Sequence, residues 1–107
     1  MSIFDLFRHS DINQGVQEYQ KTPGALLLDV RSPEEYREGH IPGSRNIPLH
    51  SIEKILALTH SRHVPLYVYC YSGARSRRAV QELHHLGYTH VRNLGGISAY
   101  SGRVAYN

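Results

Sequence analysis

The sequence predicts an α/β domain with a mainly parallel central sheet and helices on both of its faces. Three observations carry the prediction. Short strand-like runs alternate with stretches of helical periodicity, the order that builds a sheet with crossover helices. Few hairpin signals separate the runs. One run, Ala25 to Val30, is apolar except for Asp29, the pattern of a strand buried on both faces.

The elements follow in order. Asp11 to Gln20 reads as a helix with Ser10 as its N-cap and Ile12, Val16 and Tyr19 on one face. Thr22-Pro23-Gly24 breaks it, and the strand Ala25 to Val30 begins. Ser32-Pro33-Glu34-Glu35 is a helix start: Ser32 caps, Pro33 takes the first position and Glu35 completes a capping box. Gly39 ends that helix, Ile41-Pro42-Gly43 turns, and Arg45 to Ile47 is a short strand. Ser51 to Leu58 reads as a helix capped by Ser51, with Ile52, Ile55 and Leu56 inward. Leu66 to Tyr69 is a strand. Ser76 to Leu86 is a helix with Ala79, Val80, Leu83 and Leu86 on one face and Gly87 just past its end. His90 to Asn93 is a strand, Leu94-Gly95-Gly96 a turn, and a short helical segment starts at Ile97.

Composition bounds the function. The 107 residues suit one domain spanning 1–107, with an ordinary core. One cysteine excludes an internal disulfide and fits a reducing compartment, so the cytoplasm is the expected location. Met1 to Arg8 lacks the basic and apolar regions of a signal peptide, and no apolar run reaches membrane-span length. The net charge of +3 is small. Arg75, Arg77 and Arg78 cluster as an attraction for small anions. No basic stripe with interleaved aromatics exists, so no nucleic-acid partner is expected. Among the eight histidines, His60 with His63 and His84 with His85 are close in sequence. Neither pair has cysteine or glutamate at ligand spacing, so no metal and no cofactor are expected.

Cys70 carries the chemistry. Leu66 to Tyr69 delivers it to the end of a buried strand, and Tyr71-Ser72-Gly73-Ala74-Arg75-Ser76 leads into a helix. Sites in open α/β sheets form at such strand ends. Small residues let backbone N–H groups converge on an anion, the helix N-terminus adds partial positive charge, and arginines add full charges. All three favour the thiolate, so the Cys70 pKa is expected below that of a free thiol. The competing reading, a small buried hydrophobe, is weakened by the adjoining loop. With no second thiol, whatever Cys70 acquires passes to an external acceptor.

These residues resemble the single-domain rhodanese, or thiosulfate sulfurtransferase, family. The first block runs through Leu28-Asp29-Val30-Arg31, Glu35-Tyr36, Gly39 to Ser44 and Asn46-Ile47-Pro48. The Cys70 to Ser76 loop is the second. The third is Asn93 to Ile97 with Ala99. The resemblance implies a rhodanese-like fold. It also implies that Cys70 takes the outer sulfur of a donor such as thiosulfate, releases sulfite and holds a persulfide. A thiophilic acceptor, cyanide in assays or a thiol or protein in the cell, then receives the sulfur. Tyr71, Ser72, Gly73, Ala74, Arg75 and Ser76 would bind the substrate, with Arg75 beside the incoming anion. Related cell-cycle phosphatases have a loop one residue longer ending in arginine; here Ser76 occupies that position, which disfavours phosphate. The family often has Trp where this chain has Tyr100, a packing exchange. A reading from another class is a non-catalytic module that docks a partner protein on the same fold.

Other residues read as structural. Asp29 is a candidate base, but a carboxylate that caps backbone or pairs with arginine is the favoured reading. Arg31 is a partner for Asp29 or Glu35. His40 lies in a turn and reads as hydrogen-bonded. Tyr67 and Tyr69 read as packing residues, and the Tyr71 ring as a wall of the pocket.

Overall fold

The computed structural model describes residues 11–106. The expected Ser10 cap and the reading of Met1 to Arg8 lie outside the described residues. Four strands form one parallel sheet: β1 (Leu26–Asp29), β2 (Arg45–Asn46), β3 (Leu66–Cys70) and β4 (Val91–Gly96), in the order β2-β1-β3-β4. The helices are α1 (Ile12–Gln20), α2 (Pro33–Arg37) and α3 (Ala74–His85), with 3₁₀ segments at Leu49–Ala57 and Ile97–Ala99. The expected α/β architecture is present.

Alternation along the strands creates two apolar layers. On one face Leu28, Val30, Leu66, Val68 and Cys70 pack with Ile52, Ile55, Ala79, Leu83 and Tyr88. On the other, Leu27, Tyr67, Tyr69 and Leu94 pack with Ile12, Val16 and Ile41. Cys70 therefore points toward the α3 side of the sheet.

Several local expectations change. The N-cap of α1 is Asp11, whose side chain accepts from the Asn13 N–H at 3.0 Å. The Leu49–Ala57 segment is 3₁₀, and Ser51 does not cap it; Ser51 sits inside it in a non-helical conformation. Past the kink at Ser51, a three-residue spacing turns Ile52 and Ile55 to the core and leaves Leu56 exposed rather than inward. The α2 capping box forms as expected: Ser32 Oγ accepts from Glu35 N, and Glu35 Oε1 accepts from Ser32 N.

Two differences bear on the Cys70 loop. β4 runs through the expected turn to Gly96, with a register shift opposite Val68/Tyr69. A Cβ on Gly96 would collide with the Tyr71 carbonyl oxygen, so glycine is what lets β4 pass beneath the loop. α3 begins at Ala74 rather than Ser76. Gly73, its N-cap, has φ +108°, a left-handed conformation that turns the chain into the helix directly after the loop.

Candidate active site

The early start of α3 shapes the site. The loop proper is Tyr71-Ser72-Gly73, and Ala74, Arg75 and Ser76 form the first helical turn. That turn aims its unpaired N–H groups back at the end of β3. Cys70, a free cysteine only 1% exposed, sits there with Gly73 N donating to Sγ at 3.0 Å. Burial pushes the Cys70 thiol up. The Ser76 hydroxyl and the backbone N–H groups of Ser76, Gly73 and Ser72 outweigh it, and the thiol lies below its ordinary pKa. The direction matches the sequence expectation. Neutral donors lead in lowering it, the Ser76 hydroxyl first.

Ser76 is fully buried, and its Oγ lies 3.5 Å from Cys70 Sγ and 2.7 Å from Asn93 Oδ1. One hydroxyl proton serves one acceptor at a time. The protonated thiol donates to Ser76 Oγ, which in turn donates to Asn93. Once the thiolate forms, the Ser76 proton can swing to the sulfur. Asn93 Oδ1 keeps the Gly95 N–H at 2.9 Å, so the exchange leaves no buried acceptor unpartnered. In the sequence Asn93 lies within the third motif block with no role attached. Its partner lies 17 residues earlier, and no local spacing signals the pairing.

The arginines diverge. The Arg75 guanidinium grips the Glu35 carboxylate at 2.7 and 3.0 Å. Held by Arg75, and also by the Ser32 N–H against a smaller effect of burial, the Glu35 carboxyl falls to about 2. Arg77 and Arg78 are exposed on α3, so the three arginines do not form one anion site. Tyr71 is 55% exposed; its carbonyl accepts from Ser98 N at 3.1 Å while its ring stands largely in solvent. Ser72 and Ala74 are also exposed, at the surface of the loop.

The neighbouring polar residues hold the frame. Asp29 and Arg31 are buried and joined by three side-chain hydrogen bonds of 2.7–3.1 Å. Asp29 also caps the Arg31 N–H, and Arg31 reaches the Gly39 carbonyl at 2.7 Å. His40 stacks on Tyr36 and its Nδ1 hydrogen-bonds the Tyr36 carbonyl. Tyr69 is fully buried; its hydroxyl accepts from Ile41 N and pairs with Ser44, and burial pushes its phenol well up. Among the described residues no cluster of three His, Cys, Asp or Glu side chains is placed to hold a metal ion.

The chain is similar to many known proteins. Residues 13–103 match the model of the rhodanese-like domain. The thiosulfate sulfurtransferase PspE of Escherichia coli (strain K12) is 41% identical over 71 residues, covering 65% of this chain and 68% of PspE. The thiosulfate sulfurtransferase GlpE of Stutzerimonas stutzeri is 37% identical over 76 residues, 71% of this chain and 69% of GlpE. Among solved structures, a rhodanese with anions from E. coli superposes with TM-score 0.73 and 34% identity, covering 78% of this chain and 99% of its own. The Alr3790 protein from Anabaena sp. gives 0.79 at 25% identity, covering 92% of this chain and 82% of its own. On these matches, the chain belongs to the rhodanese-like domain family.

Proposed function

We propose that this protein is a sulfurtransferase that carries a sulfane sulfur on Cys70, from thiosulfate or a persulfide donor to a thiophilic acceptor such as cyanide or a thiol. The observation that carries the reading is the cradle around Sγ. A lone thiol is held below its ordinary pKa by Ser76 and by N–H groups of its own loop. Two relatives that bear the name thiosulfate sulfurtransferase support the donor.

In this reading the Cys70 thiolate attacks the outer sulfur of thiosulfate. A Cys70 Sγ–S bond forms, the thiosulfate S–S bond breaks, and sulfite leaves with the electron pair. The persulfide's outer sulfur carries the negative charge, and loop N–H groups are ready to receive it. Tyr71, Ser72, Gly73, Ala74, Arg75 and Ser76 are the proposed binding residues. Gly73 and Ser76 act on the sulfur, and Arg75 meets the donor by exchanging Glu35 for it. A reducing compartment, the cytoplasm, suits a thiol that must stay free; no described helix is long and apolar enough to cross a membrane.

Intact-mass spectrometry tests the reading. Thiosulfate should add one sulfur to the wild-type chain and none to Cys70→Ser, which should also lose all transfer to cyanide. A Cys70 that takes no sulfur from thiosulfate or from persulfide donors would refute it and leave a docking role for the fold.

A further inference from the structure

A cavity of about 180 Å³ lies beside the Cys70 loop. Val30, Pro48 and Leu49 give it apolar walls, and its ionisable lining residues, Arg31, His50 and Arg75, are all basic. Three placements tie it to the thiol. Arg75 is in the helical turn that follows the Cys70 loop. Val30 directly follows the Asp29–Tyr69 pairing and donates its N–H to the Tyr69 carbonyl, so it lies level with Cys70 on the adjoining strand. Val30 and Cys70 also share one packed cluster, so their side chains are on the same face of the sheet.

The basic groups differ in availability. Arg31 is committed to Asp29 and the Gly39 carbonyl. Arg75 gives Glu35 two of the five N–H donors of a guanidinium. His50 is exposed. An anion entering the cavity thus meets Arg75 and His50 at its rim and aliphatic carbon within. At ~30 Å³ per water-sized group the space holds about six such groups. Thiosulfate and cyanide are too small to need it.

We propose that this cavity is the acceptor subsite, and that it selects a small aliphatic thiol bearing a carboxylate. The methylenes lie on Val30, Pro48 and Leu49, and the carboxylate sits between Arg75 and His50. The proposal rests on the sulfur-transfer reading above and names the acceptor class for it. The acceptor thiol loses its proton to solvent, and its thiolate attacks the outer sulfur of the Cys70 persulfide. The new S–S bond forms as the Sγ–S bond breaks, and the electron pair returns to Cys70 as thiolate. The product is the acceptor's persulfide, with no outside oxidant or reductant.

The test compares 6-mercaptohexanoate with 6-mercaptohexanol as acceptors from thiosulfate, with cyanide as a third acceptor. A charge-assisted contact at a half-exposed rim should favour the carboxylate by about tenfold in kcat/KM. His50→Glu should remove that preference, chiefly by raising KM for the carboxylate thiol, and added salt should shrink it in the wild type. The salt series needs no variant to fold. Equal use of the two thiols, or a preference untouched by both His50→Glu and salt, overturns the subsite while cyanide turnover leaves sulfur transfer standing. No turnover with any acceptor and no sulfur on Cys70 overturns both.

Discussion

Two arginine–carboxylate pairs lie near the C-terminal end of the sheet, and they do different things. Arg31 and Asp29 side chains are 6% and 0% exposed; Arg75 and Glu35 are 39% and 32% exposed. Both pairs are multiply hydrogen-bonded, so bond chemistry does not separate them. Access to water does. A buried charge that loses its partner has nothing to replace it. A half-exposed one can trade its partner for water or an incoming anion at small cost. The first pair is therefore frame, locking the end of β1 to the Gly39 turn. The second is a replaceable contact beside the thiol.

The largest expected effect tests that division directly. Arg31→Ala strands a buried carboxylate and should cost about 3–5 kcal/mol in urea unfolding. Arg75→Ala exposes its partner to solvent and should cost no more than about 1 kcal/mol. The same Arg75→Ala should lower kcat/KM for thiosulfate about tenfold, the scale of one charge-assisted contact. Equal destabilisation by the two variants would erase the distinction between frame and site.

A second comparison sets Arg75 against Ser76. Neutral donors, led by the Ser76 hydroxyl, pull the Cys70 thiol down against burial. Ser76→Ala should move the pH profile of Cys70 alkylation by iodoacetamide toward higher pH and cut the rate at pH 7 several-fold, as the thiolate fraction falls. Asn93→Ala, which removes the acceptor that competes with the thiolate for the Ser76 proton, should shift the profile in the opposite direction and by less. Arg75→Ala should shift the profile less than Ser76→Ala. A larger shift from Arg75→Ala would make the cradle ionic rather than dipolar.

What the sequence made legible follows from range. The capping box of Ser32 and Glu35 spans three residues, and local chemistry decides it, so it appears as expected. Strand β3 delivering Cys70 also reads off the run Leu66 to Tyr69. The Asp29–Arg31 pair, two residues apart, was one of two readings open for Arg31. Partners distant in sequence were not legible. Arg75 and Glu35 are 40 residues apart, and the three arginines near Cys70 therefore looked like one basic patch. Gly95-Gly96 looked like a turn because glycine pairs commonly are; here Gly96 serves close approach of β4 to the Tyr71 carbonyl. That requirement comes from packing between two elements and leaves no local pattern. The helix start at Ala74 is illegible for a related reason. No side-chain cap marks it, only the backbone conformation of Gly73.

The smallest expected effect concerns Glu35 alone. Its carboxyl lies at about 2 in the folded protein against an ordinary 4.5, drawn down first by Arg75. A lowered folded-state pKa contributes stability that is fully present above about 4.5 and lost as pH falls through about 2. Glu35→Gln keeps an oxygen for the Ser32 N–H, so the cap of α2 survives while the charge goes. After discounting for solvent, wild type should exceed Glu35→Gln by about 1 kcal/mol at pH 7. Urea midpoints should converge between pH 4.5 and 2. At pH 7 the variant's unpaired Arg75 should bind thiosulfate better, lowering KM by a few-fold. If KM stays unchanged while the stability gap appears, the Glu35 contact is not what the donor displaces. Arg75 then resembles Arg31, a strut with more water around it.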